Sequence, residues 1–149
     1  MPLPVNKDLL VWSDDLLTGV SEIDTHHREL FNLMNWFLKA CERGTDKEQI
    51  KRVFEFLDKY IIYHFNAEEE YMAQYGYPNY AVHQQMHTDF KKDFAQLKKK
   101  FEDALSGPTV LKILRVQVET NELLGQWWID HINKTDKTLG VFLKSRIKE

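Results

Sequence analysis

The sequence has a single cysteine, Cys41, in 149 residues. One thiol closes no internal disulfide, so nothing argues for an oxidising compartment. No stretch approaches the roughly 18 uninterrupted apolar residues of a membrane span. The opening MPLPVNKDLLVW lacks the basic start and long apolar run of a signal peptide. Neither sign of charge dominates: the net charge is −3, which favours neither nucleic acid nor an anionic membrane as a partner. The run Lys98-Lys99-Lys100 is flanked by acids and reads as a solvated helix face. No Gly-rich phosphate loop, Ser-His-Asp arrangement or CxxC pair occurs. The expectation from these absences is a single cytoplasmic domain spanning residues 1–149.

Glycine and proline are also scarce, 6 and 4 residues, and they cluster in "RGTD", "QYGYPN", "SGPT" and the first residues. The long stretches between them carry apolar residues at spacings of 3, 4 and 7, the helical pattern. The first runs through Leu30, Phe31, Met34, Phe37, Leu38 and Cys41, opens near Ser21 and Asp24, which resemble a capping box, and stops at Gly44. Thr45 with Glu48 is a second capping signature. The second stretch carries Ile50, Val53, Phe54, Leu57, Ile61 and Phe65. The third starts near Asn79 and carries Phe90, Phe94, Leu97, Phe101 and Leu105. The fourth carries Val110, Leu111, Leu114, Val118, Leu124 and Trp128. The predicted fold is all-α: an up-down-up-down antiparallel four-helix bundle. Its helices span about 20–43, 46–72, 79–105 and 109–133, with an N-terminal arm, residues 1–18, and a short C-terminal helix over about 137–147.

Each inward stripe turns polar near one end. His27 lies near the start of the first helix and His64 with Glu68 near the end of the second. His83 and His87 lie near the start of the third. His131 lies at the end of the fourth, with Asp136 just beyond. Antiparallel topology puts all of these at one end of the bundle, in one layer of its core. A lone histidine on an apolar stripe is ordinarily a core residue, but this many ionisable groups buried together need a cation. Imidazole and carboxylate suit iron, zinc, copper or manganese, and seven donors exceed the four of a tetrahedral zinc. Two octahedral metals offer twelve positions. Five imidazoles, two bridging carboxylates and one bridging solvent oxygen fill all but one. His83, His87 and His131 would saturate one metal, leaving the other, with His27 and His64, five-coordinate. His131 and Asp136 are i,i+5, about 140° apart on an ideal helix, so both reach one centre only if the helix ends or distorts between them.

These residues sit in "GVSEIDTHHRELF" (19–31), "HFNAEE" (64–69), "HQQMH" (83–87) and "WWIDHINKTD" (127–136), after an arm "VWSDDLLTGV" (11–20). With them the chain resembles the hemerythrins, especially the single-domain bacterial form, over essentially its whole length. The resemblance implies two iron ions, cycling between Fe2+ and Fe3+, with a bridging oxo or hydroxo group. Their ligands would be His27, His64, Glu68, His83, His87, His131 and Asp136, with both carboxylates bridging. It implies dioxygen as the partner, bound reversibly at the five-coordinate iron for storage, delivery or sensing, without enzymatic turnover. The residue before the first ligand histidine is usually Gln in that family and here is His26. Lying about 100° from His27 on the helix, His26 reads either as a residue packed behind the ligands or as an exposed surface residue, the second being preferred.

Di-iron bundles that oxidise substrates are rich in carboxylates. Five neutral imidazoles with only two carboxylates favour binding over oxidation. A di-iron oxidase, peroxidase or nitric-oxide-handling enzyme on the same centre is the alternative, and a sensing module a third. Leu30, Phe31, Trp127, Trp128 and Ile132, each within a turn of a ligand, are candidates for an apolar ligand pocket. Neither an unidentified protein client nor the choice between monomer and homo-oligomer is decided by the sequence. Cys41 reads as a small core residue.

Overall fold

A computed structural model describes residues 10–43, 47–106 and 121–147. Helix α1 spans Ser21–Arg43. Its entry is built by Asp24, whose carboxylate accepts from the Thr18 N–H (2.7 Å), the Thr18 hydroxyl (2.8 Å) and the Gly19 N–H (3.2 Å). Asp24 thus forms a clasp with Thr18 and Gly19 at the start of the helix. It satisfies backbone donors just outside the first turn and fixes the angle at which the arm enters the helix.

Helix α2 spans Lys47–Tyr75 and α3 spans Tyr80–Ser106. Gly76 (φ +65°) stops α2 in the left-handed conformation that glycine adopts without strain, and the Tyr77 N–H closes back on the Met72 carbonyl at 2.9 Å. A turn this short makes α3 run antiparallel to α2. The last helix, here α4, is continuous over 121–144. It alternates a π segment (Asn121–Gln126), an α segment (Trp127–His131), a second π segment (Ile132–Asp136) and a final α segment (Lys137–Lys144). The short C-terminal helix predicted as a separate element is thus the end of α4. Gly44, Thr45, Leu105, arm residues 1–9 and the expected start of the fourth helix, with Val110, Leu111, Leu114 and Val118, lie outside the described residues or side chains.

Apolar residues converge in two clusters. The larger fills the body of the bundle and includes Leu30, Phe31, Phe37, Phe54, Phe65, Phe90, Phe101 and Trp128. Cys41 is buried in it, as its spacing predicts. The smaller closes one end with Val20, Ile23, Met72, Tyr77, Leu139 and Leu143. Asn35 ties the arm down by accepting from the Leu10 N–H (3.0 Å) and donating to its carbonyl (2.7 Å), and Trp12 meets Phe31 edge-on at 5.5 Å.

The arm crosses α4 at Gly140, where a Cβ would lie 2.2 Å from the Thr18 carbonyl oxygen. Backbone gives way less readily than a flexible side chain. Gly140→Ala is expected to destabilise the metal-free protein by about 1–3 kcal/mol, lowering Tm by several degrees in calorimetry. An unchanged Tm would show that the crossing is loose.

Candidate metal centre

Between the two apolar clusters lies a polar layer. His27 is one turn from Ile23 on α1, and Glu68 one turn from Met72 on α2, so each helix passes from the end cluster into the layer. His27, His64, Glu68, His87 and Asp136 are fully inaccessible, and His83 and His131 nearly so. These are the seven positions expected from the sequence, and they face one another. Asp136 Oδ2 lies 2.9 Å from His27 Nε2, while its Oδ1 lies 3.1 Å from both His83 Nε2 and His131 Nε2. Glu68 Oε1 lies 3.3 Å from His64 Nε2 and 3.4 Å from His87 Nε2.

These approaches are not hydrogen bonds. The Nε2 atoms of all five histidines and all four carboxylate oxygens are buried without a hydrogen-bond partner. Leaving that many polar atoms unsatisfied is costly in a folded core. The distances have another meaning: with metal–ligand bonds of about 2.1 Å, neighbouring donors on an octahedron stand about 3.0 Å apart. The donors fall into two sets. Glu68, His83, His87, His131 and Asp136 form one; His27, His64, Glu68 and Asp136 form the other, with donor atoms within 4.8 Å of one another in each set. Both carboxylates belong to both sets. Asp136 divides its two oxygens between them, whereas Glu68 directs Oε1 at both. The residues fit a pair of cations.

Asp136 reaches the layer because the helix distorts. The Lys137 N–H donates to the Ile132 carbonyl, a five-residue step, so the wide turn over Ile132–Asp136 brings the i,i+5 pair onto one face.

The field of the layer holds the carboxylates ionised. Burial and the nearby Asp136 charge push Glu68 up, but His64 and His87 outweigh them and hold it at about 2. Burial likewise opposes Asp136, yet His131, His27 and His83 keep it well below the usual carboxylate range. Burial holds His64 down at about 4, so its imidazole is neutral. His87 is pushed down by burial but raised to about 9 by Glu68 and Glu69.

Three contributors escaped the sequence reading. His26 is buried, with 5% exposure, not on the surface as expected: its Nδ1 lies 3.2 Å from His64 Nδ1. Glu69 Oε2 accepts from His87 Nδ1 at 3.2 Å. Phe65 stacks on His87 at 3.9 Å between centroids and on Trp128 at 5.3 Å. The i,i+1 relation of Phe65 to His64 and of Glu69 to Glu68 was a weak signal for the last two. Of the pocket candidates, Trp128 lies 5.8 Å from His64 and 6.4 Å from His27. Leu30, Phe31 and Ile132 are buried in the larger cluster. Trp127, half-buried, stacks on His131 at 4.3 Å, on the three-histidine side. His83 also borders a surface pocket of about 250 Å³ lined by Tyr77, Met86 and Lys134 among others.

No helix among the described residues is long and apolar enough to cross a membrane. A family model described as the hemerythrin HHE cation binding domain matches residues 18–143. A bacteriohemerythrin of Stenotrophomonas maltophilia is 29% identical over 141 residues, covering 95% of this chain and 86% of that one. One from Pseudomonas aeruginosa is 30% identical over 127 residues, covering 85% and 76%. One from Methylococcus capsulatus is 28% identical over 138 residues, covering 92% and 98%. The crystal structure of a wild-type hemerythrin superposes with a TM-score of 0.75 at 26% identity, covering 89% of this chain and 96% of that one. A point mutant of hemerythrin gives a TM-score of 0.77. With its bundle, its buried donor layer and these relatives, the chain belongs to the hemerythrin family.

Proposed function

We propose that the layer holds two iron ions with a bridging oxo or hydroxo group, and that the protein binds dioxygen reversibly there, as a carrier, store or sensor rather than an enzyme. His83, His87 and His131 would hold one ion and His27 and His64 the other, with Glu68 and Asp136 shared. The observation that carries this reading is the unequal division of donors, three imidazoles against two around shared carboxylates, which would leave the poorer side one donor short. Ferrous iron bound there would supply the electrons that dioxygen binding needs. The chain supplies the rest. Neutral imidazoles outnumber carboxylates, which disfavours the high-valent iron of oxidising enzymes, and Trp128 with the apolar cluster keeps water from the two-histidine side.

The test is an anaerobic, Fe(II)-loaded sample exposed to air. A carrier is expected to take up two irons per chain and develop a visible absorption band that vanishes when oxygen is removed. Irreversible passage to the ferric form with turnover of an added substrate would assign an oxidase or peroxidase instead. One zinc per chain, or no metal, would end the di-iron reading.

Acid should compete with metal. His87 must lose its proton to ligate, and its carboxylate neighbours hold that proton up to about pH 9. Affinity for cobalt(II), a convenient stand-in, is therefore expected to rise about tenfold per pH unit from 7 to 9 and then level off. A flat response over that range would show that His87 carries no proton there that the metal must displace.

A further inference from the structure

His26 is buried against the second helix. It is wedged behind His64, with Tyr63 at 5.1 Å and Tyr60 at 6.0 Å between ring centroids. Its Nδ1 faces His64 Nδ1 at 3.2 Å, and its Nε2 faces Glu22 Oε1 at 3.9 Å. Glu22, on the surface, accepts a hydrogen bond from the Tyr71 hydroxyl. The structure therefore holds a chain from the interior outward: His64, His26, Glu22, Tyr71.

Two facing Nδ1 atoms share one proton, so only two neutral arrangements are open to the pair. In the first, His64 carries its proton on Nδ1 and donates it to His26, and His26 carries its own on Nε2, toward Glu22. In the second, His26 donates, and His64 must carry its proton on Nε2. That second N–H would face Glu68 Oε1 at 3.3 Å and leave His64 Nε2 unable to ligate a cation. The first arrangement leaves the Nε2 lone pair of His64 available to a cation held in the layer. An acidic surface residue at the far end of the chain favours it again, by attracting the Nε2–H of His26.

We infer that His26 is a positioning residue: by accepting the Nδ1 proton of His64 it fixes that ring's tautomer and orientation, turning Nε2 into the layer as a donor. Glu69 does the same for His87 from a carboxylate, the usual outer partner of a ligating histidine. The two halves of the layer thus have different outer partners, an imidazole on the two-histidine side and a carboxylate on the other. A carboxylate makes its histidine the more electron-rich ligand, so the imidazole leaves His64 the weaker donor. The inference rests on the layer being a metal site.

Two measurements on the full chain test it. In the wild type loaded with diamagnetic zinc(II), long-range 1H–15N correlation spectra are expected to show His64 protonated on Nδ1 and His26 as the Nε2–H tautomer. The reverse pair overturns the assignment. The second measurement is an anaerobic Fe(II) titration of wild type, His26→Phe and His26→Gln. Phenylalanine keeps a ring between Tyr60 and Tyr63 but accepts nothing, while the glutamine amide oxygen can accept. His26→Phe is expected to weaken uptake of one ion by about 10–100-fold and leave the other nearly unchanged, with His26→Gln restoring most of the loss. Wild-type affinity in His26→Phe, or a His26→Gln variant as weak as His26→Phe, overturns the inference. A wild type that binds fewer than two ions defeats the di-iron reading instead, and the tautomer spectrum still decides what His26 does.

Discussion

Replacing Glu68 with alanine is expected to empty both halves of the layer at once. Glu68 belongs to both donor sets, so no single metal position survives its loss with a full complement. The damage is electrostatic as well as geometric. Glu68 and Asp136 are the only carboxylates in the two donor sets among the described residues, and together they offset half the charge of two divalent ions. Removing one leaves a dicationic pair facing a single carboxylate and five neutral rings, which a low-dielectric interior penalises heavily. Iron retained after gel filtration should fall from two per chain to less than one. Ligand-linked stabilisation should disappear with it, about 4 kcal/mol for each ion at a thousandfold excess over its Kd. Retention of two irons, or an undiminished rise in Tm on adding Fe(II), would remove Glu68 from the centre.

Phe65→Ala should be the most damaging change outside the donors. Phe65 is fully buried, stacked on His87 on one side and Trp128 on another, and edge-on to Phe90 at 5.8 Å. A cavity there cannot collapse easily, because two of its walls are rigid rings on different helices. The expected loss is about 3–5 kcal/mol in the metal-free protein, or a fall in Tm of about 10 °C or more at this chain length. It should also free the His87 ring, so Fe(II) uptake should weaken beyond what instability alone explains. Comparison with Phe54→Ala separates the two effects. Phe54 stacks on Phe94 and Phe101, in the body of the bundle and away from the donors. If both variants lose metal affinity equally, Phe65 has no particular hold on His87.

What could be read from the sequence followed from two periodicities and one rule of topology. His64 with Glu68 and His83 with His87 are one helical turn apart, and antiparallel packing brings those turns to the same height. Spacing failed where a neighbour, not the residue's own helix, decides burial. His26 sits beside the stripe of α1 and reads as exposed, yet Tyr60 and Tyr63 of α2 close over it. The end cluster was hidden for a similar reason: it takes Tyr77 from a turn and Leu139 and Leu143 from a stretch read as a separate helix. The tie from Asp24 back to Thr18 and Gly19 was hidden too, because that contact depends on the arm's path.

The wide turn at Ile132–Asp136 has a consequence for chain length. An α-helix places i and i+4 on one face; this turn places i and i+5 there, so it holds one residue more than the geometry requires. Asn133 and Lys134, both solvent-exposed, are the natural surplus. Remove Asn133 and the turn can close to ordinary α pitch, with His131 and Asp136 then one regular turn apart, as His64 and Glu68 already are. The rest of α4, including the Gly140 crossing, keeps its register. The helix therefore tolerates the loss of one codon at a point where a deletion in a regular helix would rotate everything after it by about 100°.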